Sequence, residues 1–338
     1  MEIKRIAGKE CRNTRFLWEE VFSEDSQQFT DYYFEYKAEN NIGYVLGEKP
    51  YDAMMFRAPY LLQIGKKQKE ISYLVGVATR KECRHKGHMT ALLMYSLEEM
   101  YQEKQPFTFL MPANPAIYEP FGFRYIYERD VWTFVENGKQ ILSVEKKESG
   151  NGLYSVTSLL KQKKDSNILQ QLADFSNEYL RKHYQIYVVR DADYYETQLK
   201  ESQAQNGDIY VWLEQGKITG FFLYAKEEGE VFIQEVMEAK QGTFPFLKKE
   251  EKKKPVIMAR IIHLEEMLKL LVSDSPKTIL LEVEDDLLPQ NDGVYRLEMT
   301  SEGSLVTKLK EARTPDVVFS VTELAEKILK NVCLNEIV

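Results

Sequence analysis

The chain has 338 residues, 43% hydrophobic and 29% charged, which is the balance of a globular protein and more chain than one hydrophobic core holds. A net charge of −8 speaks against a nucleic-acid duplex as the main partner, since that needs a basic face, and it favours cationic partners. Three widely spaced cysteines, Cys11, Cys83 and Cys333, without a CxxC pair, point to free thiols in a reducing compartment rather than to a disulfide framework or a zinc ligand set.

No apolar signal segment is visible at the N-terminus, and no stretch reaches the roughly 20 apolar residues of a membrane span, so a cytoplasmic location is expected. A first strand is expected over 2–6 and a helix over 13–22, with Phe16, Leu17 and Val21 near one side. Residues 23–34 mix acids and aromatics; Glu24, Asp25 and Asp31 read either as attraction for a cationic amine or as a solvated helix surface with its N-cap. Residues 42–46, 54–64 and 71–78 form a three-strand meander with a polar turn over 65–70. The last of these is a nearly unbroken, β-branched apolar run, as in a strand buried on both faces.

A basic loop follows over 79–90, containing Arg84-x-x-Gly87. After Gly87 the period changes: Met89, Leu92, Leu93, Leu97 and Met100 fall on one helical face. Residues 107–111 read as a strand stopped by Pro112, and 124–135 as another after the Gly122 turn. Strand, glycine loop and helix together suit a phosphate chain. The helix N-terminus offers unpaired N–H groups and the positive end of its dipole, Gly87 permits close backbone approach, and Arg84, Lys86 and His88 add charge. The bare R-x-x-G also fits an ordinary strand-to-helix turn; what favours the phosphate reading is the setting, which leads on into Ala113-x4-Tyr118-x3-Gly122-Phe123.

Residues 136–152 read as a polar linker. Beyond it a helix over 166–181 and strands over 209–213, 218–224 and 231–236 repeat the order helix-then-meander, with no second basic glycine loop. The charge run 248–254 reads as a solvated linker or an exposed helix end. A helix over 263–271, strands over 278–283, 294–299 and 317–320, a turn at Asn291-Asp-Gly293 and a capping box from Ser320 to Glu323 complete the chain, before an apolar tail over 332–338. His183 and His263 are isolated, and no metal site is expected.

The stretch 71–123 resembles the GNAT superfamily of acetyl-CoA-dependent N-acetyltransferases, and its wording Phe-Leu-Met-Pro-Ala…Ile-Tyr-x-x-Phe-Gly-Phe is similar to the Eis-like subgroup. The last third resembles a sterol-carrier-protein-like (SCP2-like) module. The resemblance implies an α/β (α+β) fold. It comprises tandem GNAT folds with a mixed, splayed sheet, catalytic over 1–150 and degenerate over 151–250, then an SCP2-like α/β domain over 251–338. It further implies acetyl transfer from acetyl-CoA to a primary amine of a cationic small molecule, such as an aminoglycoside or polyamine, or of lysine. By the same resemblance, Val77, Ala78 and Thr79 face pantetheine and the acetyl group; Arg84, His85, Lys86, Gly87, His88, Met89 and Thr90 cradle the pyrophosphate; Asn114 lies near pantetheine. The family's last cradle position is often Gly or Ala, and here it is Met89, tolerable where only its N–H is used. Tyr118 is implied as the acid for the departing thiolate, the Val338 carboxylate as the base, and Glu24 and Asp25 as contacts for the acceptor. No metal, membrane or nucleic-acid partner is implied, and the subgroup suggests a homo-oligomer, commonly a hexamer. The alternative is a non-enzymatic acyl-CoA or apolar-ligand binding protein.

Overall fold

The computed structural model describes residues 2–143, 151–162, 167–227, 229–310 and 313–336. It opens with strand β1 (Ile3–Ala7), helices α1 (Arg15–Val21) and α2 (Gln27–Tyr32), and the meander β2 (Ile42–Leu46), β3 (Ala53–Ile64) and β4 (Lys67–Thr79). Helix α3 (His88–Gln102), strand β5 (Phe107–Leu110), the short helix α4 (Pro115–Tyr118) and strand β6 (Arg124–Phe134) follow. The middle of the chain holds β7 (Gly152–Ser155), α5 (Val156–Lys161), α6 (Ile168–His183), β8 (Ile186–Val188), α7 (Ala192–Ala204), β9 (Asp208–Glu214), β10 (Lys217–Glu227) and β11 (Glu230–Glu238). A long strand β12 (Leu247–Ile261) leads to α8 (Leu264–Leu268), β13 (Lys277–Glu284), β14 (Gly293–Thr300), β15 (Gly303–Lys308), β16 (Val317–Ser320), α9 (Val321–Ile328) and β17 (Val332–Cys333).

The first sheet runs β1-β2-β3-β4-β5-β12-β6, with β8 and β17 added beside the far end of β3. It is antiparallel except where β4 meets β5 and where β8 meets β17. Helix α3 covers one face. Its period-3.6 stripe puts Leu92, Leu93, Leu97 and Met100 at 0% exposure against Tyr44, Met55, Leu74 and Met258, each side chain worth roughly 1.5–3 kcal/mol relative to exposure. The other face carries Trp18, Tyr33, Phe56, Tyr73 and Phe109.

A second sheet, β11-β10-β9-β7, has α5, α6 and α7 on one side. Neighbouring residues alternate across it, as the two-residue period of a strand requires. Val211 and Phe221 pack with the helices, while Tyr210 and Phe222 meet Trp132, Phe134 and Leu247 from the end of the β6–β12 arm. A third sheet, β15-β14-β13-β16, carries α8 and α9, and its capping box at Ser320 and Glu323 forms as expected.

The run 248–254 is neither linker nor helix end: it is the first half of β12, paired with β6. Its side chains are mostly exposed because this part of the pair stands out as a two-stranded arm, so polar residues line it without a buried face. The boundary expected at 250/251 therefore falls inside one strand. That strand closes the first sheet between β5 and β6. At its far end Arg260, 1% exposed, pairs with Asp285 at 2.6 Å and donates to the Phe121 carbonyl at 2.9 Å, tying the third sheet to the first. No helix among the described residues is long and apolar enough to cross a membrane.

Candidate active site

Strands β4 and β5 are paired only at Tyr73–Phe109 and Leu74–Leu110. Beyond these pairs β4 continues to Thr79, whereas β5 stops before Pro112, whose ring cannot donate to a ladder. A cavity of about 430 Å³ opens where the two strands part. Its walls include Gly76 and Val77 of β4, Met111 and Ala113 after β5, Tyr118 of α4, Glu24 and Asp25 after α1, and Arg129 and Lys254 from the arm.

The β4 wall is irregular for a definable reason. Met54 pairs with Ala78 and Phe56 with Val75, so two steps on β3 face three on β4, a bulge. Gly76 takes it up with φ +62°, and an added Cβ would lie 2.8 Å from Trp18 Cζ3 and 3.0 Å from Phe56 Cδ2. Only glycine fits both the dihedral and the space. The bulge interrupts the regular ladder between β3 and β4 at the cavity wall. The sequence reading missed this residue, although an isolated glycine inside a β-branched run is itself a bulge signal.

Past Thr79 the chain enters the basic loop. Gly87 is the N-cap of α3 with φ +79° and ψ 9°, and no side chain caps the helix. The first-turn N–H groups of His88, Met89 and Thr90 are thus left for an anion. Arg84, His85, Lys86 and Gly87 are exposed around them, and the Arg84 Nε donates to the Thr79 carbonyl at 3.3 Å. His88 differs from its expected role as a surface charge: its ring is buried at 4% exposure, and neither ring nitrogen has a hydrogen-bond partner among the described residues. Of the other expected residues, Val77 and Thr79 are half-buried and Ala78 is buried. The Asn114 side chain accepts the Ala116 N–H at 3.1 Å as the N-cap of α4 and is not part of the cavity wall.

Tyr118 is 8% exposed and its ring meets Phe123 edge-on at 6.0 Å. Among the described residues nothing hydrogen-bonds its hydroxyl, so it is not the carbonyl-bound core tyrosine that the sequence also allowed. Burial pushes its ionisation up to about 12. Asp25 accepts from the Trp18 Nε1 at 2.8 Å, which fixes its carboxylate at the cavity rim beside exposed Glu24. Asp31, by contrast, is paired with Arg15 at 2.6 Å, outside the cavity wall. Arg129, missed by the sequence reading, lines the same cavity and has its ionisation lowered by burial.

Val338 lies outside the described residues. The described part of the tail runs inward: Leu334 is 0% and Glu336 1% exposed. Glu336 accepts the Tyr194 hydroxyl at 3.2 Å, and burial pushes its carboxyl up to about 7. Its charge also helps to raise the ionisation of the buried phenols Tyr60 and Tyr73, after burial itself, and Tyr73 lines the cavity.

Residues 2–126 match the acetyltransferase (GNAT) domain family, and residues 264–337 match the sterol carrier protein domain family. No curated protein matches the chain in sequence. Among solved structures, a protein of unknown function from Enterococcus faecalis, described as a probable N-acyltransferase, is 18% identical with a TM-score of 0.77, over 98% of this chain and 90% of that one. A GCN5-related N-acetyltransferase from Anabaena variabilis is 16% identical with a TM-score of 0.71, over 96% and 89%. Eis1 from Mycobacterium abscessus is 12% identical with a TM-score of 0.67, over 97% and 90%. At these identities the likeness is one of fold, and it extends over almost the whole length of each chain. The parted strands, the bulge, the uncapped glycine loop and the two family matches lead to one assignment: the chain carries an acetyltransferase (GNAT) domain over residues 2–126 and a sterol carrier protein domain over residues 264–337, in a fold that it shares with Eis1 from Mycobacterium abscessus.

Proposed function

We propose that the protein transfers the acetyl group of acetyl-CoA to a primary amine of a polycationic small molecule, such as an aminoglycoside or polyamine, or of a lysine side chain. The observation that carries this reading is the single cavity in which the Gly76–Val77 bulge, Tyr118 and the acidic pair Glu24 and Asp25 share one wall, directly before the basic loop. In the reaction the neutral amine attacks the thioester carbonyl, an N–C bond forms, the C–S bond breaks, and the amine proton leaves to a base. Backbone N–H groups at the bulge stabilise the developing oxyanion, the first turn of α3 with Arg84 and Lys86 holds the pyrophosphate, and Tyr118 donates to the departing sulfur.

The terminal carboxylate of Val338 is the base in this reading. Its support is the inward course of the tail as far as Glu336 and the absence of a His from the cavity wall among the described residues. The division into a catalytic unit, a second GNAT-like unit without a cradle and a sterol-carrier-like unit belongs to the same proposal. It is supported by the two further sheets, β11-β10-β9-β7 and β15-β14-β13-β16, each built from one stretch of the chain after β6, and by the lack of a basic glycine loop after β11.

Arg129 and Lys254 in the same wall favour a second acceptor class, amines that also carry a carboxylate, such as peptides presenting lysine. The test is thiol release from acetyl-CoA with polyamines, aminoglycosides, lysine peptides and simple monoamines. Multiply charged acceptors should show the lowest KM, and it should rise with salt. No release above hydrolysis with any amine, while acetyl-CoA binds, would leave the non-enzymatic acyl-CoA binder as the better account.

A further inference from the structure

Three side chains of metal-ligating type, two from the ends of the basic turn and one from the start of another strand, meet beneath the basic loop. Asp52 precedes β3, Cys83 closes the turn after β4, and His88 is the first residue of α3. A carboxylate oxygen, the thiol sulfur and a ring nitrogen from these three all lie within 4.8 Å of one another. The Cys83 Sγ donates to the Asp52 Oδ1 at 3.3 Å. His88 is 4% exposed, and neither of its ring nitrogens has a hydrogen-bond partner among the described residues. A buried imidazole with both nitrogens idle has given up its hydration for nothing the protein supplies. Nothing in the acetyl-transfer chemistry uses that ring.

We propose that Asp52, Cys83 and His88 form a site for a zinc-class divalent transition metal, with water as the fourth ligand. Thiolate, imidazole and carboxylate are the donor set that such an ion selects over calcium or magnesium. Tetrahedral bonds of about 2.0–2.3 Å place neighbouring ligand atoms roughly 3.3–3.7 Å apart, so closing the present cluster takes side-chain shifts of about 1 Å. The backbone under Asp52 is already fixed: its N–H donates to the Leu46 carbonyl at 2.8 Å, and its carbonyl accepts the Arg80 N–H at 2.9 Å. On binding, the Cys83 proton leaves to solvent. The Asp52 oxygen that had accepted it becomes a ligand, and His88 contributes the lone pair of its neutral ring.

The spacing gives the site a structural consequence. Cys83 and His88 bracket residues 84–87, so the ion would pin both ends of the basic loop to the edge of β3. A sequence search for CxxC or clustered histidines misses this arrangement, because its ligands come from three separate elements.

The test uses the full-length protein and cobalt(II) as a spectroscopic probe, followed by displacement with zinc(II). One equivalent of cobalt should give a thiolate-to-metal charge-transfer band with tetrahedral d–d bands, and zinc should abolish both. Cys11→Ser and Cys333→Ser should keep the bands, Cys83→Ser should lose the charge-transfer band, and Asp52→Asn should weaken binding at least tenfold. Folded wild-type protein without a charge-transfer band in excess cobalt would overturn the proposal, as would a band that survives Cys83→Ser. An independent measurement needs no variant: zinc should protect Cys83 from alkylation, read by peptide mass spectrometry, and equal labelling with and without zinc overturns the site. Neither readout depends on acetyl transfer, so each stands whatever the loop binds.

Discussion

Replacing Tyr118 by Phe removes one hydroxyl from the cavity wall and leaves the ring on Phe123. Since no described residue hydrogen-bonds that hydroxyl, the folded state loses only what a minor substitution costs, within about 0.5 kcal/mol. The effect on turnover follows from its ionisation. Burial holds the phenol at about 12, whereas an ordinary thiol ionises near 8.5. Full proton transfer from phenol to thiolate is therefore uphill by roughly 5 kcal/mol at 1.36 kcal/mol per unit. Tyr118 then acts mainly by donating a hydrogen bond to the sulfur as charge develops there. Deleting a hydrogen bond to an ionised group costs about 1.5–3 kcal/mol, a drop of roughly 10- to 150-fold in kcat. That is at or below the low end of the 10²–10⁴-fold contributed by a general acid that completes its transfer. Steady-state thiol release gives kcat and KM, calorimetry gives the acetyl-CoA Kd, and thermal melting gives Tm. The expected pattern is a fallen kcat with Kd and Tm nearly unchanged. A kcat within twofold of the parent would refute the role, and a matching collapse of Tm would reassign Tyr118 to the core.

Gly87→Val forces a β-branched residue to φ +79°, a cost of about 1–2 kcal/mol, although no neighbour blocks the added Cβ. It also puts bulk where pyrophosphate must approach, so the acetyl-CoA Kd should rise at least tenfold by calorimetry; an unchanged Kd would mean that the loop is only a turn. A C-terminal extension of several residues should abolish acetyl transfer while acetyl-CoA still binds, with the intact tag confirmed by mass spectrometry. Full activity of the tagged protein would exclude the terminal carboxylate as base. Glu336→Gln tests the buried tail. With its folded value near 7 and an ordinary one near 4.5, the parent's Glu336 contributes stability below pH 4.5 that is lost as pH rises through 7, about 3 kcal/mol in all. The Tm advantage of the variant over its parent should therefore grow between pH 5 and pH 8, and a pH-independent difference would show that Glu336 is not buried as a charge.

The central strand, the glycine loop and the helix after it were legible because local rules decide them: a β-branched run, a left-handed cap and a 3.6-residue stripe. The sites of Glu24, Asp25 and Val77 around one cavity were legible only through family resemblance, since no local pattern brings them together. The fate of 248–254 was not legible, because a strand in an exposed two-stranded arm has no apolar face to betray it. Nor was the placement of β8 and β17, two or three residues each, which are strands only through pairing with distant edges. His88 was misread for a related reason. The first turn of a helix can turn a side chain outward or under, and Asp52 and Cys83, which meet it underneath, arrive from other elements. Asn114, placed near pantetheine by resemblance, sits just before Pro115 at a helix start, a natural N-cap position, and its side chain is used that way.

The position of β12 has a consequence for the newborn chain. Among the described residues, strand β6 pairs with β12 alone, and β12 is also the only partner of β5 on that side. When the ribosome has finished β6, the first sheet still lacks the strand that joins it, and 112 residues separate Phe134 from Leu247. At about 5–20 residues per second that gap lasts roughly 6–22 s. Throughout it the free edge of β5 and the whole of β6 are open ladders of the kind that recruit foreign strands. The acetyltransferase half therefore cannot be finished ahead of the rest, and a chain cut after residue 143 should emerge as a sticky fragment rather than as a smaller enzyme. The exposed lysines and glutamates of the arm are the residues that natural sheets use to keep such an edge from pairing with the wrong neighbour once it does arrive.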